Sequence, residues 1–228
     1  AGFHVINIGS PTELNFLLSA SSSHIPGYAP DDVQDLYRVM QQAYALVRKK
    51  NKVEVTEFHI TGYSLGALHA AFIADLDQRE KKFNLQKVFM INPPVNLYSS
   101  AAVLDGLLEK NIPRVDGVPQ VGAFLDKTIQ QLASTYAAEK GAKFNNDFLY
   151  SAYVEGEEDK DGAFRTDRTP EGLIGFGFRL SSSAMVFASD VMTHAGYIVP
   201  KEKVFASNEP LDSYAQKSFL VTFQEYVN

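Results

Sequence analysis

The residues of this chain whose spacing suits a reaction centre are Gly62-Tyr63-Ser64-Leu65-Gly66, a G-x-S-x-G run. Glycines two before and two after a serine permit a tight turn from a strand into a helix, where a side chain would collide with neighbouring backbone. Such a turn lifts the hydroxyl above the strand end and points a helix amino terminus at it. The amide of the next residue, Leu65, is then presented to a developing oxyanion. The chemistry served is attack of the Ser64 hydroxyl on an acyl carbon. Tyr63, beside the serine, is a candidate substrate contact.

The elements around the motif have the order such a turn requires. Phe3 to Ile8 is a short apolar run closed by Gly9-Ser10-Pro11 and reads as a buried strand. Leu14 to Ala29 is mixed and loop-like, with a helical turn expected near Leu14 to Leu18. From Asp31 to Lys50, apolar residues recur at spacings of three and four (Val33, Leu36, Tyr37, Met40, Ala43, Tyr44, Val47), the stripe of an amphipathic helix. Val53 to Thr61 reads as a strand leading into the motif. Gly66, Ala67, Ala70, Ala71 and Ala74 then give a helix a small face that suits close packing on a sheet, with Asp77 to Lys82 as its solvated tail. Val88 to Ile91 is a third strand, stopped by Asn92-Pro93-Pro94. Alternation of strand and helix predicts a parallel sheet.

Beyond Val95 the pattern is helical, in 101–108, 121–138, 144–154, 173–197 and 214–226, with no further strand evident. Glu155 to Gly162 is an acidic loop whose spacing does not match a calcium site. The expected fold class is α/β, a partial parallel sheet of three strands with a large helical cap. The expected division is 1–98 for the sheet portion and 99–228 for the cap. Phe124, Phe144, Phe148, Tyr150, Phe164, Phe176, Phe178, Phe187, Phe219 and Phe223 serve either the cap's own core or an apolar binding surface. Gly175-Phe176-Gly177-Phe178 reads as a loop, or as a hinge of a lid.

Thr61-Gly62-Tyr63-Ser64-Leu65-Gly66-Ala67 resembles the nucleophile elbow of the α/β-hydrolases, and the resemblance runs from about Phe3 to Val95. The helix Asp31 to Lys50, the elbow and Ile91-Asn92-Pro93-Pro94 are also similar to a group of proteobacterial hydrolase-like proteins of the cell envelope. The resemblance implies a serine nucleophile, a histidine base, an acidic orienter and an ester, thioester or amide substrate. It further implies a periplasmic or envelope setting and an envelope protein partner. In that family the order is serine, then acid, then histidine. His4, His24 and His59 precede Ser64, and His69 lies on the elbow helix with its side chain down the flank. His194 alone fits the order, although it stands in a helical, apolar stretch, with Asp190 one turn earlier; Asp159, Asp161 and Asp167 are the other acids considered. Three strands are too few for the whole architecture, and the chain starts at Ala1 rather than Met. It is therefore expected to be a piece of a longer protein, with the closing strands and the true acid and base elsewhere.

Two functions follow as expectations. One is a serine hydrolase acting on an acyl (carboxyl) ester, lipid-derived in one version, through an acyl-enzyme at Ser64. The alternative is a catalytically inactive hydrolase-fold protein that binds or scaffolds in envelope lipid handling. The formal charge of −6 and pI near 5.4 argue against a nucleic-acid partner. Arg48-Lys49-Lys50, the longest basic run, sits where a helix end favours cations. Zero cysteines exclude disulfides, thiolate metal sites and a thiol nucleophile. No apolar run reaches the ~20 residues that cross a bilayer. No phosphate loop or histidine pair suggests a metal or a cofactor, and none is expected.

Overall fold

The computed structural model describes residues 3–51, 55–124, 126, 127, 130 and 170–227. The chain divides into two compact units, Ala1–Ser100 with Ala188–Tyr197, and Ala101–Phe187 with Ile198–Asn228. The protein is of mixed helix and sheet.

In the first unit the described elements are α1 (Leu14–Ser19), α2 (Ala29–Asn51), β1 (His59–Tyr63), α3 (Leu65–Glu80) and β2 (Lys87–Ile91). The expected amphipathic helix is α2, with Asp31 and Asp32 in its first turn and Arg48, Lys49 and Lys50 in its last, both complementing the helix dipole. Its stripe enters a core of Phe16, Val33, Leu36, Tyr37, Ile73, Leu76 and Phe83. Rings in that core meet edge to face: Tyr44 on Phe58 at 4.9 Å and Phe58 on Phe83 at 5.3 Å between centroids. Helix α3 is the crossover, packing on both strands and on α2.

The sheet of this unit is narrower than expected. β1 and β2 pair in parallel, from His59 opposite Lys87 to Tyr63 opposite Ile91. The stretch Phe3 to Ile8, expected as a third strand, joins no ladder. Its Phe3 ring meets His59 at 6.3 Å and Ile8 borders the core, yet Val5 is 84% exposed. Apolar content made this run look like a strand, but a strand exists only where its amides find a partner edge. The strand expected over Val53 to Thr61 starts its ladder at His59 and runs to Tyr63, inside the motif; residues 52–54 lie outside the described ones. All five residues of β2 are exposed, Phe89 at 66%, so α3 covers this strand only in part.

Asp77 corrects another expectation. Instead of opening a solvated tail, it is 2% exposed and turned toward α2. Its Oδ1 accepts from Tyr37 Oη and from the Phe83 amide at 2.9 Å, and its Oδ2 accepts from the Leu85 amide at 2.8 Å. Burial alone raises the carboxyl's pKa, but the hydrogen bonds, that from Tyr37 foremost, outweigh it and hold Asp77 below the usual carboxylate range. Burial, then the bond to Asp77, pushes Tyr37 above its ordinary value. The clasp fixes the end of α3 and the approach to β2.

In the second unit stand most of α4 (Leu97–Lys110), a hairpin of β3 (Arg114–Val115) and β4 (Val118–Pro119), most of α5 (Pro170–Thr193), α6 (Asp212–Leu220) and α7 (Phe223–Tyr226). The hairpin was not anticipated. Asp116 (φ 50°) and Gly117 (φ 81°) form its two-residue turn, both central residues left-handed as a type I′ turn demands. Gly175-Phe176-Gly177-Phe178 is neither loop nor hinge but lies inside α5. A Cβ on Gly175 would stand 2.3 Å from the Leu108 amide nitrogen, so that glycine lets α4 and α5 touch backbone to backbone.

Of the aromatic residues expected in the cap, Phe124 and Phe176 join Leu108 and Ile112 in a buried cluster, and Phe223 is also buried. The expected segment 144–154 and the acidic loop 155–162 lie outside the described residues. At the heart of this unit Arg179, 1% exposed, donates to Asp105 Oδ1 at 3.2 Å and to the Phe219 carbonyl at 3.1 Å. Asp105 Oδ2 accepts from the Gln224 amide, so one buried pair ties α4, α5, α6 and α7 together.

Candidate active site

Ser64 occupies the single residue between β1 and α3, with φ 51° and ψ −122°. This combination belongs to sparsely populated backbone space, at a cost on the order of 1–3 kcal/mol for a residue with a side chain. Neighbours hold it there. The Ser64 amide donates to the Ile91 carbonyl at 2.9 Å, and the Ser64 carbonyl accepts from Ala67 at 2.9 Å and Leu68 at 3.3 Å. A Cβ on Gly62 would lie 2.0 Å from the Gly66 carbonyl oxygen and 2.6 Å from the Ala67 nitrogen, so strand and helix cross here with room only for hydrogen. Gly66 itself has open space where a Cβ would stand.

A serine before a helix is most often an N-cap, its oxygen accepting from an amide of the first turn. Ser64 makes no such bond, so its hydroxyl is not spent on capping. The residue is half-buried, and Tyr63 beside it is 68% exposed at the strand end. Leu65 is the first residue of α3, where an amide has no carbonyl of its own helix to reach. Tyr63, Ser64 and the first amide of α3 thus follow one another at the carboxyl ends of two parallel strands.

The structure separates the histidines. His69 is 2% exposed, its Nε2 3.6 Å from Asp32 Oδ2, and it faces α2 rather than the bend. Asp32 Oδ2 also accepts from the Gly27 amide at 2.8 Å. His24 Nδ1 bonds the Leu17 carbonyl at 2.8 Å, and His59 lies 3.5 Å from Glu57. His194, placed by its sequence in a helical apolar stretch, stands one residue past α5 instead, exposed and left-handed at φ 53°. Its amide donates to the Asp190 carbonyl at 2.9 Å. Asp190 is buried and its Oδ1 accepts from the amides of Gly196 and Tyr197, at 2.7 and 3.0 Å, which shapes the turn following His194. Ser64 and His194 belong to the same unit, and among the described residues no hydrogen bond joins them. Asp159, Asp161 and Asp167 lie outside the described residues.

A polar cleft lined by Asp77, Gln78, Lys81, Asn84 and Gln86 sits at the amino-terminal start of β2, the end of the strand away from Ser64. Among the described residues no group of three or more His, Asp or Glu side chains could hold a metal ion, and no helix is long and apolar enough to cross a membrane. The sequence pattern placed Ser64 at a bend between strand and helix, with Tyr63 before it and Leu65 after it; it gave no sign of the Tyr37–Asp77 clasp, for which a tyrosine inside the apolar α2 stripe was the available signal. No family of known proteins, no curated protein and no solved structure matches this chain.

Proposed function

We propose that this protein is a serine hydrolase that acts on an acyl ester through Ser64. One observation carries the reading: a serine held at φ 51° and ψ −122° between a parallel strand and a helix, its hydroxyl left out of the helix cap. Strain of this kind persists where surrounding structure enforces it, and it concentrates at reacting residues. In the reaction Ser64 Oγ bonds to the acyl carbon while a base takes its proton, and the carbonyl electrons move onto oxygen beside the Leu65 amide. Collapse of that tetrahedral adduct breaks the bond to the alcohol, which leaves with the proton returned by the base. Water then attacks the acyl-serine by the same route, releasing the carboxylic acid and restoring Ser64.

His194 is the proposed base within the chain, since it follows Ser64 in sequence, shares its unit and is exposed. An alternative source is polypeptide that widens the sheet beyond β2. Five residues in a row, Lys-Val-Phe-Met-Ile, with four apolar and all exposed, have the composition of a strand covered on both sides. Tyr63 is proposed to line the substrate's approach.

A fluorophosphonate probe tests the reading on the full protein. Covalent labelling that disappears in Ser64→Ala is expected, and His194→Gln should slow it at least tenfold if His194 is the base. Absence of labelling with Ser64 accessible overturns the hydrolase. The second reading, a binding or scaffold protein of hydrolase-like fold in envelope lipid handling, draws support from Ser64 itself, which no hydrogen bond joins to a histidine among the described residues. It predicts an unlabelled protein that still retains lipid, measured by mass spectrometry of extracts from the purified material.

A further inference from the structure

The ladder between β1 and β2 ends with Tyr63 opposite Ile91, so Ser64 and Asn92 are the next residues of the two strands. The bond from the Ser64 amide to the Ile91 carbonyl locks that relation at the last rung. Neighbouring strands run about 4.8 Å apart, so the two chains leave the ladder side by side at Ser64 and Asn92.

Asn92 is unusual in its own right. Its φ is 50°, close to the 51° of Ser64, although it immediately precedes Pro93. A following proline pushes a residue toward extended φ near −120°, so the left-handed value runs against that preference. Asparagine tolerates left-handed backbone better than most residues, and a turn former at a strand end is the plain reading. That reading leaves the carboxamide without a use: Asn92 is exposed, and among the described residues its side chain has no hydrogen-bond partner. Two paired strands thus each end in a left-handed polar residue, side by side, at the site where the Leu65 amide begins a helix.

We infer that Asn92 is a further catalytic residue of the Ser64 site, its carboxamide donating a hydrogen bond to the carbonyl oxygen of the bound acyl group. This rests on the hydrolase reading given above. A neutral amide suits the position because it offers N–H donors to an oxygen that gains negative charge and brings no charge of its own. Side-chain amide donors of this kind change kcat by about 100- to 1,000-fold.

Glycine at 92 separates the two roles, since it accepts φ 50° at least as readily as asparagine but has no carboxamide. Asn92→Gly is expected to keep the wild-type denaturation midpoint while kcat for a soluble p-nitrophenyl ester falls at least tenfold, with KM changed less. Asn92→Asp, which sets a carboxylate beside the developing oxyanion, should fall at least as far, and the loss should ease at acidic pH as the carboxyl protonates. Full kcat in Asn92→Gly, with Ser64→Ala inactive, overturns the role of Asn92 and leaves the hydrolase standing. Faster turnover in Asn92→Asp than in Asn92→Gly also overturns it, because a carboxylate would then be helping a base instead of opposing an oxyanion. If the unsubstituted protein neither turns over the ester nor takes the fluorophosphonate label, the hydrolase reading falls and this inference with it.

Discussion

Gly62 and Gly66 occupy symmetric places in the motif, yet substituting them with alanine should act in opposite directions. A methyl group on Gly62 would begin 2.0 Å from the Gly66 carbonyl oxygen and 2.3 Å from its carbon. Ordinary contact starts at 3.4 Å, so strand and helix must part by about 1.4 Å, and the opposing atoms are backbone that no rotamer change can move aside. Overpacking of this type costs about 1–3 kcal/mol, and the rigidity of the obstacle places Gly62→Ala near the top of that range. Gly66→Ala meets nothing within 4 Å, and alanine is favoured over glycine inside a helix by roughly 0.5–1 kcal/mol. Urea denaturation of both variants, followed by far-UV circular dichroism, reads the difference as opposite displacements of the midpoint at unchanged slope. The fluorophosphonate reaction should slow sharply in Gly62→Ala, because separating strand from helix releases Ser64 from its bend, and should survive in Gly66→Ala. A Gly62→Ala protein within about 0.5 kcal/mol of the original, the usual scatter of neutral substitutions, would refute the close crossing and the strained bend that depends on it.

Ser64→Gly removes the side chain from a backbone conformation that glycine adopts freely, so the protein should gain about 1 kcal/mol in thermal or urea unfolding while losing all acylation; a loss of stability would show that the bend is unstrained. Tyr37→Phe deprives Asp77 of its largest stabilising bond and the Lys82 amide of an acceptor, costing about 1–3 kcal/mol. Because the folded Asp77 carboxyl titrates below its unfolded counterpart, its contribution is complete above about pH 4 and is lost as pH falls through the folded value. The acid-unfolding midpoint of Tyr37→Phe should therefore move to higher pH, and an unmoved midpoint counts against the clasp. Arg179→Ala leaves Asp105 buried without its cation and should cost about 3–5 kcal/mol in chemical denaturation, with a change under 1 kcal/mol refuting the pair as an organiser of its unit.

What the sequence disclosed and withheld follows from the range of each interaction. The Ser64 bend was legible because its determinants lie within five consecutive residues. Helix α2 was legible because its stripe, Val33 to Val47, repeats for about four turns. Phe3 to Ile8 misled because apolar content reports a tendency to be buried, whereas a ladder depends on a partner elsewhere in the chain. Glycines in Gly175-Phe176-Gly177-Phe178 suggested a break, yet Gly175 answers to Leu108, and no local pattern records an approach between helices so distant in sequence. Asp116-Gly117 was a true turn signal, passed over because the flanking strands are only two residues each. Asp77 looked solvated among charged neighbours, since the tyrosine that binds it lies 40 positions earlier. Arg179 had a subtler mark, a single cation amid the apolar run of α5. A base for the proposed Ser64 chemistry could not be read by these means, because side chains that would act together converge only in three dimensions.

The stretch from Lys81 to Gln86 is a connector by its outline, with no repeating structure of its own. Its amides at Phe83 and Leu85 nevertheless end on a carboxylate sealed in the core. Deuterium should enter these two positions only when the whole unit opens, as slowly as it enters the helix beside them. A piece of chain without regular form would then rank among the last to unlock, and the strand that begins directly after it would inherit a fixed point of departure.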